Sequence, residues 1–422
     1  GLTEAARADL LLCVFVVDPR WFRPGKFQSR PMGPHRWRFL WQSLMALDAQ
    51  LQMLGNRLHI AYGPQETAIT ALCKGYDISH LHRARLPGTQ EADCWGYIES
   101  ELPGVEMRRH EILSLFKEQD LPFELPELPD TFSQFRRRIE ASKLVPAAPL
   151  AIPKTLPPAP GFPEDAREQC PPRQETTEDV GFSGGEAAAA AHLEAYLFEH
   201  RRIVTYKETR NALDDWPSSA KLSPWLANGS LSPRFAADQI SRFERKHVRN
   251  ESTYWLYFEL LWREYFYWYG LRHGKRLFQR NGVQQNNRPV SFYPHRFRAW
   301  CDGQTGYPLV NACMNQLRET GYMSNRGRQL VASCFVNELE LDWRYGAAWF
   351  EEQLVDYDVA SNYGNWQYLA GVGADPRGLR RFNLTKQQTQ YDPDGEFVRR
   401  WRGESSQPVP LHTVDAADWP IG

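Results

Sequence analysis

The stretch Asp342–Gly373, DWRYGAAWFEEQLVDYDVASNYGNWQYLAGVG, sets two aspartates, Asp356 and Asp358, inside a run of apolar and aromatic residues. Asn362 and Trp366 follow one and two helical turns further along. A carboxylate in such surroundings needs a partner, because an unpaired buried charge is costly or is neutralised by a shifted pKa. A cation or a set of hydrogen-bond donors is therefore expected beside this segment. Spacing alone leaves a plainer reading open, a surface turn with solvated aspartates and core tryptophans.

Outward from this stretch the pattern is helical. Glu251 to Arg272 is aromatic on almost every side, which predicts a helix buried all round rather than an amphipathic one. Within it Glu259, Trp262 and Arg263 stand at i, i+3 and i+4 and share a face, as an ion pair beside a core indole or as the wall of a pocket. Asn325 to Leu341 reads as a further helix, with Asn325 and Gln329 at i and i+4. Ala187 to Glu199 consists of strong helix formers, and Ser223-Pro224 and Ser232-Pro233 each supply an N-cap followed by proline. Tyr206, with Ser219, Ala220, Lys221, Leu222 and Ser223, offers hydroxyls and backbone N–H groups at a helix start. That is a weak anion-site signal, equally read as a capped turn. Residues 186–422 are expected to form one all-α domain.

Residues 1–120 read as an α/β domain. Leu10–Val17 is a continuous apolar run of the kind a buried parallel strand shows, and Leu58–Tyr62, Ile78–Leu81 and Val105–Arg108 are further strands. Helical patterns such as Arg36–Leu54 separate them, so right-handed βαβ crossovers are the economical topology. Residues 121–185 turn proline-rich and are expected to be an interdomain connector lying over the surface, with a short helix at Thr131–Glu140.

Composition bounds the rest. A chain of 422 residues allows about two to three domains. With 42% hydrophobic residues it can bury a large core, and with a formal net charge of −1 any nucleic-acid face must be local. Seven cysteines without a CxxC pair predict a reduced, cytoplasmic protein with no disulfide framework or zinc site. No apolar run spans a membrane, no signal peptide opens the chain and no internal repeat is evident, so a monomer without membrane association is expected. The 15 tryptophans fill core and also suit stacking or electron transfer.

Asp342-Trp343-Arg344, Asp356-x-Asp358 and Asn362-Tyr363-Gly364-Asn365-Trp366, in this order and spacing, resemble the flavin-binding core of the photolyase/cryptochrome family. Gln367-Tyr368 and Phe135-Arg136 resemble its DASH-type cryptochrome branch, and the resemblance covers nearly the whole chain. It implies FAD as cofactor, with Tyr206, Ser219, Lys221, Leu222 and Ser223 around the phosphates, although Ala220 stands where a hydroxyl residue is usual. It implies that Glu259 and Arg263 line the flavin cavity, that Asp356 pairs with Arg328, that Asp358 accepts from the ring edge, and that Asn362 faces the nitrogen which takes up charge on reduction. A pocket for damaged bases would be formed by Glu259, Trp262, Asn325, Gln329 and Tyr368. Trp366 and Trp343 match the inner and middle members of an electron-transfer chain whose outer position falls on Val290, with Tyr293 and Trp300 as substitutes.

The activity so implied is blue-light repair of cyclobutane pyrimidine dimers by electron transfer from excited reduced FAD. Tyr368 and Gln329 stand where duplex-repairing relatives carry tryptophan and methionine, which predicts single-stranded DNA as the preferred partner, gripped by Lys275, Arg276, Arg377, Arg380 and Arg381. The competing readings are a photosensory or regulatory cryptochrome without significant repair and a flavin-free helical protein sharing the fold. Repair of (6-4) products is disfavoured because Ser324-Asn325 replaces a histidine pair. The resemblance leaves a methenyltetrahydrofolate antenna open, but His82–Pro87 lacks the glutamate that would hold it. It also implies an initial strand before Gly1, so a truncated N-terminus and an α/β domain short of one strand are expected.

Overall fold

The computed structural model describes residues 1–161, 165–173, 181–287, 289–374, 378 and 380–405. Four short strands occupy the first part: β1 (Cys13–Val17), β2 (Leu58–Tyr62), β3 (His80–Ala84) and β4 (Glu106–His110). All pairing is parallel, β1 with β2 from Cys13↔Leu58 to Val17↔Tyr62 and β3 with β4 from His80↔Glu106 to Ala84↔His110. Each connection carries a helix, Pro34–Met53, Gln65–Gly75 and Thr89–Glu101 in turn, as parallel crossovers require. Among the described residues the two pairs form two separate sheets.

The strand limits differ from those expected. Leu10 is more than half exposed, so the first strand begins only at Cys13. Ile78 closes the preceding helix by donating its N–H to Cys73 O (3.0 Å), and β3 starts two residues later than the apolar run. The sheets bury only small cores, Val17, Leu58 and Ile60 against Trp37, Leu44 and Leu51, and Ile98 against Trp95.

The connector is not wholly superficial. Leu121, Phe123, Leu128, Phe132, Phe135 and Ile139 are buried in the large helical core, because the text between the prolines carries aromatic and aliphatic residues at helical spacing. The helix Phe132–Ala141 is capped by Thr131, and its buried residues fall at i, i+3 and i+7. The surface expectation holds at Val145, Leu150 and Ile152, which are exposed, while Leu156, Cys170 and Phe182 further along are buried again.

The helix Glu251–His273 is the axis of the second part, buried on most sides and opened by a reciprocal Asn250/Thr253 capping box. Its Glu264 carboxylate accepts from Leu115 N–H (2.7 Å) and Trp268 Nε1–H (2.6 Å), and burial raises its pKa to about 7. This bond fastens the segment just before the connector to the aromatic helix.

Three helix assignments change, and the first, Ala187–Glu199, is α-helical only to Glu194 and widens over Ala195–Glu199. Asn325–Leu341 is a helix only to Ser333 and continues as a wider turn, Cys334–Glu338, while the cap is Ser324, which accepts from Gly327 N–H (3.1 Å). Ser223 is the first helical residue rather than the cap. The two parts of the chain meet where Gly33 N–H donates to Glu352 O (3.0 Å), an approach so close that a Cβ at Gly33 would overlap that carbonyl.

Candidate functional site

The Asp356–Asp358 turn links two helices, Trp343–Gln353 and Val359–Ala370. Asp342 caps the first by accepting from Arg344 N–H (3.0 Å) and holds the Arg344 guanidinium at 2.6 Å. Asp358 caps the second by accepting from Ser361 N–H (2.8 Å). The helix starts follow directly from the aspartates, whose side chains satisfy N–H groups that have no intrahelical partner.

Each aspartate of the turn has an arginine partner. Asp356, whose side chain is 2% exposed, accepts from Arg328 Nη2 at 2.8 Å. Its other oxygen, Oδ1, is buried with no hydrogen-bond donor. Asp358 Oδ2 lies 3.6 Å from Arg263 Nη2, and Arg263 also donates to Leu226 O (3.0 Å) and Leu113 O. The surface-turn reading is thereby excluded, since both carboxylates sit in a packed, paired environment. Asn362 is buried one turn on and donates Nδ2–H to Ala347 O (3.0 Å).

Below the turn the aromatic residues are continuous. Trp366 and Trp343 are 2% and 1% exposed, so neither reaches solvent directly. Trp366 meets Phe350 (5.2 Å), Phe335 (5.6 Å) and Trp300 (6.2 Å) edge-on, and Trp343 meets Tyr363 at 6.2 Å. Gly346 permits this packing, because a Cβ there would overlap the Trp366 ring. Trp300 is wholly buried and donates Nε1–H to Val331 O (3.1 Å), while Tyr293 carries the Arg296 guanidinium over its ring at 4.2 Å.

Glu259, Trp262 and Arg263 share a face as the spacing predicted, and each has its own partner. Glu259 pairs with Arg210; burial raises its pKa and Arg210 opposes the rise. Trp262 is stacked by Phe132 of the connector helix at 3.8 Å and 13°, and meets Tyr368 edge-on at 6.0 Å. The Arg380 guanidinium lies 4.4 Å above the Tyr368 ring. Gln329 accepts from Arg326 (3.1 Å), which also donates to Asn211 Oδ1 (3.1 Å), and Asn325 is exposed. Of the basic residues expected to grip phosphates, Arg381 is held by Glu338 (2.9 Å) and Lys275 faces Asp93 (3.6 Å). Arg276 is exposed, and Arg377 lies outside the described residues.

The loop Ser219–Ser223 contributes a feature that sequence reasoning missed. Lys221 is buried in a left-handed backbone conformation (φ 48°), with its ammonium 5.3 Å from both the Trp216 and Tyr322 rings. Among the described residues no carboxylate lies within ion-pair distance, and Nζ donates only to Asp215 O at 3.4 Å. Burial lowers its pKa from 10.5 to about 8. On its other flank Tyr322 receives the Arg328 guanidinium at 5.5 Å, so one phenol ring joins this loop to the Asp356 pair. Tyr206 is buried near Glu259, and desolvation raises its pKa well above the ordinary value.

Two groups linked through Tyr322 thus lack a partner of their own among the described residues: an acceptor without a donor at Asp356 Oδ1 and a cation without a paired carboxylate at Lys221. A ligand with a hydrogen-bond-donating ring edge and anionic phosphates satisfies both. FAD has this donor and charge set, and these residues fit it.

Comparison with known proteins agrees with this chemistry. Residues 1–157 match the family model described as DNA photolyase, and residues 255–416 match the FAD binding domain of DNA photolyase. The chain is 49% identical to a protein from Idiomarina loihiensis named cryptochrome DASH, covering all of this chain and 93% of that one. A solved cryptochrome from Synechocystis sp. aligns with TM-score 0.89 at 40% identity, over 93% of this chain and 83% of the other. A bacterial class III photolyase structure from Agrobacterium tumefaciens aligns with TM-score 0.81 at 27% identity, over 95% and 82% respectively. No helix among the described residues is long and apolar enough to cross a membrane.

Proposed function

The chain belongs to the DNA photolyase family, in the branch of the proteins named cryptochrome DASH, and from that premise we propose that it repairs cyclobutane pyrimidine dimers under blue light, preferentially in single-stranded DNA. The observation that carries this reading is the joined set Lys221–Tyr322–Arg328–Asp356, together with the edge-on pair Trp262 and Tyr368. Bound FAD supplies the photoexcitable electron donor.

The residues of the chain bind and orient. Lys221 and the N–H groups of its loop would hold phosphate, Asp356 Oδ1 and Asp358 would accept hydrogen bonds from a flavin, and Asn362 would present a neutral amide to it. Arg263 and Arg328 hold the two aspartates in place. Trp366 and Trp343 form the electron relay, and Trp300, in edge contact with Trp366, offers a side branch from its inner member. Glu259 and Gln329 line the pocket beside Trp262 and Tyr368.

Flipping a dimer out of a duplex costs a few kcal/mol, and stacking on an aromatic returns about 1–3 kcal/mol per base. Tyr368 offers a smaller ring than an indole, so the recovery falls short of the flipping cost in duplex DNA. Light-driven repair of one thymine dimer is to be compared in single-stranded, bubble and fully paired oligonucleotides. The rates are expected to fall in that order, and equal rates would refute the preference.

A second reading, a photosensory protein without significant repair, is favoured by one arrangement. Phe132 covers a face of Trp262 and Arg380 covers a face of Tyr368, so both aromatic walls already have partners. Photoreducible flavin with no repair of any of the three substrates would select it.

A further inference from the structure

We propose that Tyr363, with Glu351 as its proton acceptor, is the terminal electron donor to Trp343, an inference that rests on the relay proposed above. Tyr363 and Trp343 meet edge-on with ring centroids 6.2 Å apart, and both are buried, at 6% and 1% exposed. They belong to the two helices that the Asp356–Asp358 turn joins. The Tyr363 hydroxyl donates to Glu351 Oε2 at 3.3 Å, and Phe278 packs against its ring at 4.7 Å.

A phenol is a poor electron donor while it keeps its proton, because the oxidised phenol is a strong acid. A carboxylate hydrogen-bonded to the hydroxyl removes that obstacle. The indole has no such outlet, since Trp343 Nε1–H donates to Arg280 O (3.0 Å), and an amide carbonyl is too weak a base to take the proton. An oxidised Trp343 therefore stays a cation and a strong oxidant. The hole reaches it through Trp366 from light-excited oxidised flavin. One electron then passes from Tyr363 to the Trp343 radical cation and restores the neutral indole, while the phenolic proton passes along the hydrogen bond to Glu351 Oε2. A neutral tyrosyl radical and a neutral carboxylic acid remain. The transfer removes the charge on the indole and that on the carboxylate from a poorly solvated region, where both are costly.

The surroundings of Glu351 tune it for this task. Desolvation pushes its carboxyl up to about 7, against the Arg36 guanidinium and the Tyr357 and Tyr363 hydroxyls, while Glu91 adds to the rise. Arg36, from the helix Pro34–Met53, is held over the Tyr357 ring at 4.3 Å, and Arg344 is the charged neighbour of Tyr363. A proton acceptor works best when its pKa lies near the working pH. Neither Tyr363 nor Glu351 has a part in the flavin or dimer contacts described above.

The test is flash excitation of the FAD-loaded full chain, followed by transient absorption and by electron paramagnetic resonance of frozen samples. A tryptophanyl signal is expected to give way to a tyrosyl one. Tyr363→Phe should remove the tyrosyl signal, retain the tryptophanyl signal and shorten the life of the separated charges. Glu351→Gln, with the phenol intact, should slow tyrosyl formation roughly tenfold or more, as loss of a positioned base does. In the wild type the tyrosyl yield should fall as pH drops through about 7, where Glu351 takes up its proton. Tyr357→Phe removes the other phenol at this carboxylate and should leave the tyrosyl signal in place. In flavin-free protein, infrared difference spectra should show a carboxyl band titrating near neutral pH that Glu351→Gln removes and Tyr363→Phe shifts, which checks the hydrogen bond without photochemistry. A tyrosyl signal that survives Tyr363→Phe, or a tryptophanyl signal that never converts, would overturn the inference and leave the relay standing. Absence of any tryptophanyl signal would sink the relay and the inference together.

Discussion

The Asp356–Asp358 turn and the β3–β4 strand pair both collect opposite charges, and they do so under opposite solvent conditions. In the turn each aspartate has a single arginine, the Asp356 side chain is 2% exposed, and one of its oxygens has no donor at all. On the strand pair, Glu99 is shared by Arg83 (3.0 Å) and Arg109 (2.8 Å) on one face, and Arg108 is shared by Glu4 and Glu106 on the other, with side chains such as Arg109 54% exposed. Low dielectric makes the first set few, specific and costly to break; water makes the second redundant.

The contrast can be broken at its strongest point first. Asp356→Ala leaves the Arg328 guanidinium without its counter-ion, which for a buried pair costs about 3–5 kcal/mol. Urea unfolding should show a loss of that size together with loss of flavin after gel filtration. A change below 1 kcal/mol, near the surface value, would show that the turn is wetter than its geometry.

Next comes Lys221. Its pKa is lowered in the fold from 10.5 to about 8, so between these values the unfolded chain binds more protons and stability must rise with pH. The gain across the window is on the order of 3 kcal/mol at 1.36 kcal/mol per unit. Denaturation of flavin-free protein from pH 7.5 to 10 should show this rise and Lys221→Met should abolish it. Bound phosphate should flatten it by holding the proton.

Asp358→Ala is expected to be milder, because its ion pair is longer at 3.6 Å and the helix cap is the second loss. Flavin retention should weaken by roughly 1–3 kcal/mol. Unchanged occupancy by absorbance would remove Asp358 from the binding set.

The smallest effect belongs to the exposed face. Arg109→Ala should shift stability by less than about 1 kcal/mol, since Arg83 continues to hold Glu99. A larger loss in thermal unfolding would mean that the ladder acts as one unit.

The turn was the more legible of the two regions. Aspartates inside aromatic text demand partners, the family resemblance named Arg328 for one of them, and the aromatic helix was placed to within a residue at its end. Less could be read where the cause is remote or local to the backbone. The cage of Lys221 joins Trp216 and Tyr322 across more than a hundred positions and has no periodic trace. The wider turn at Cys334–Glu338 interrupts a sequence whose apolar spacing continues unbroken. The connector's burial was hidden because proline content outweighed the Phe132, Phe135 and Ile139 stripe. On the β3–β4 pair, alternating histidines, arginines and glutamates show which side chains share a face but not which of them meet.

Tyr322 has a thermodynamic consequence. Its ring lies between the Lys221 ammonium and the Arg328 guanidinium, so both cations draw on one quadrupole. A ligand group that takes charge from one cation alters the hold on the other, and reciprocity requires the effect to be equal in both directions. Were a dinucleotide bound with its phosphates at Lys221 and its ring at Asp356, as proposed, this phenol would couple its two ends.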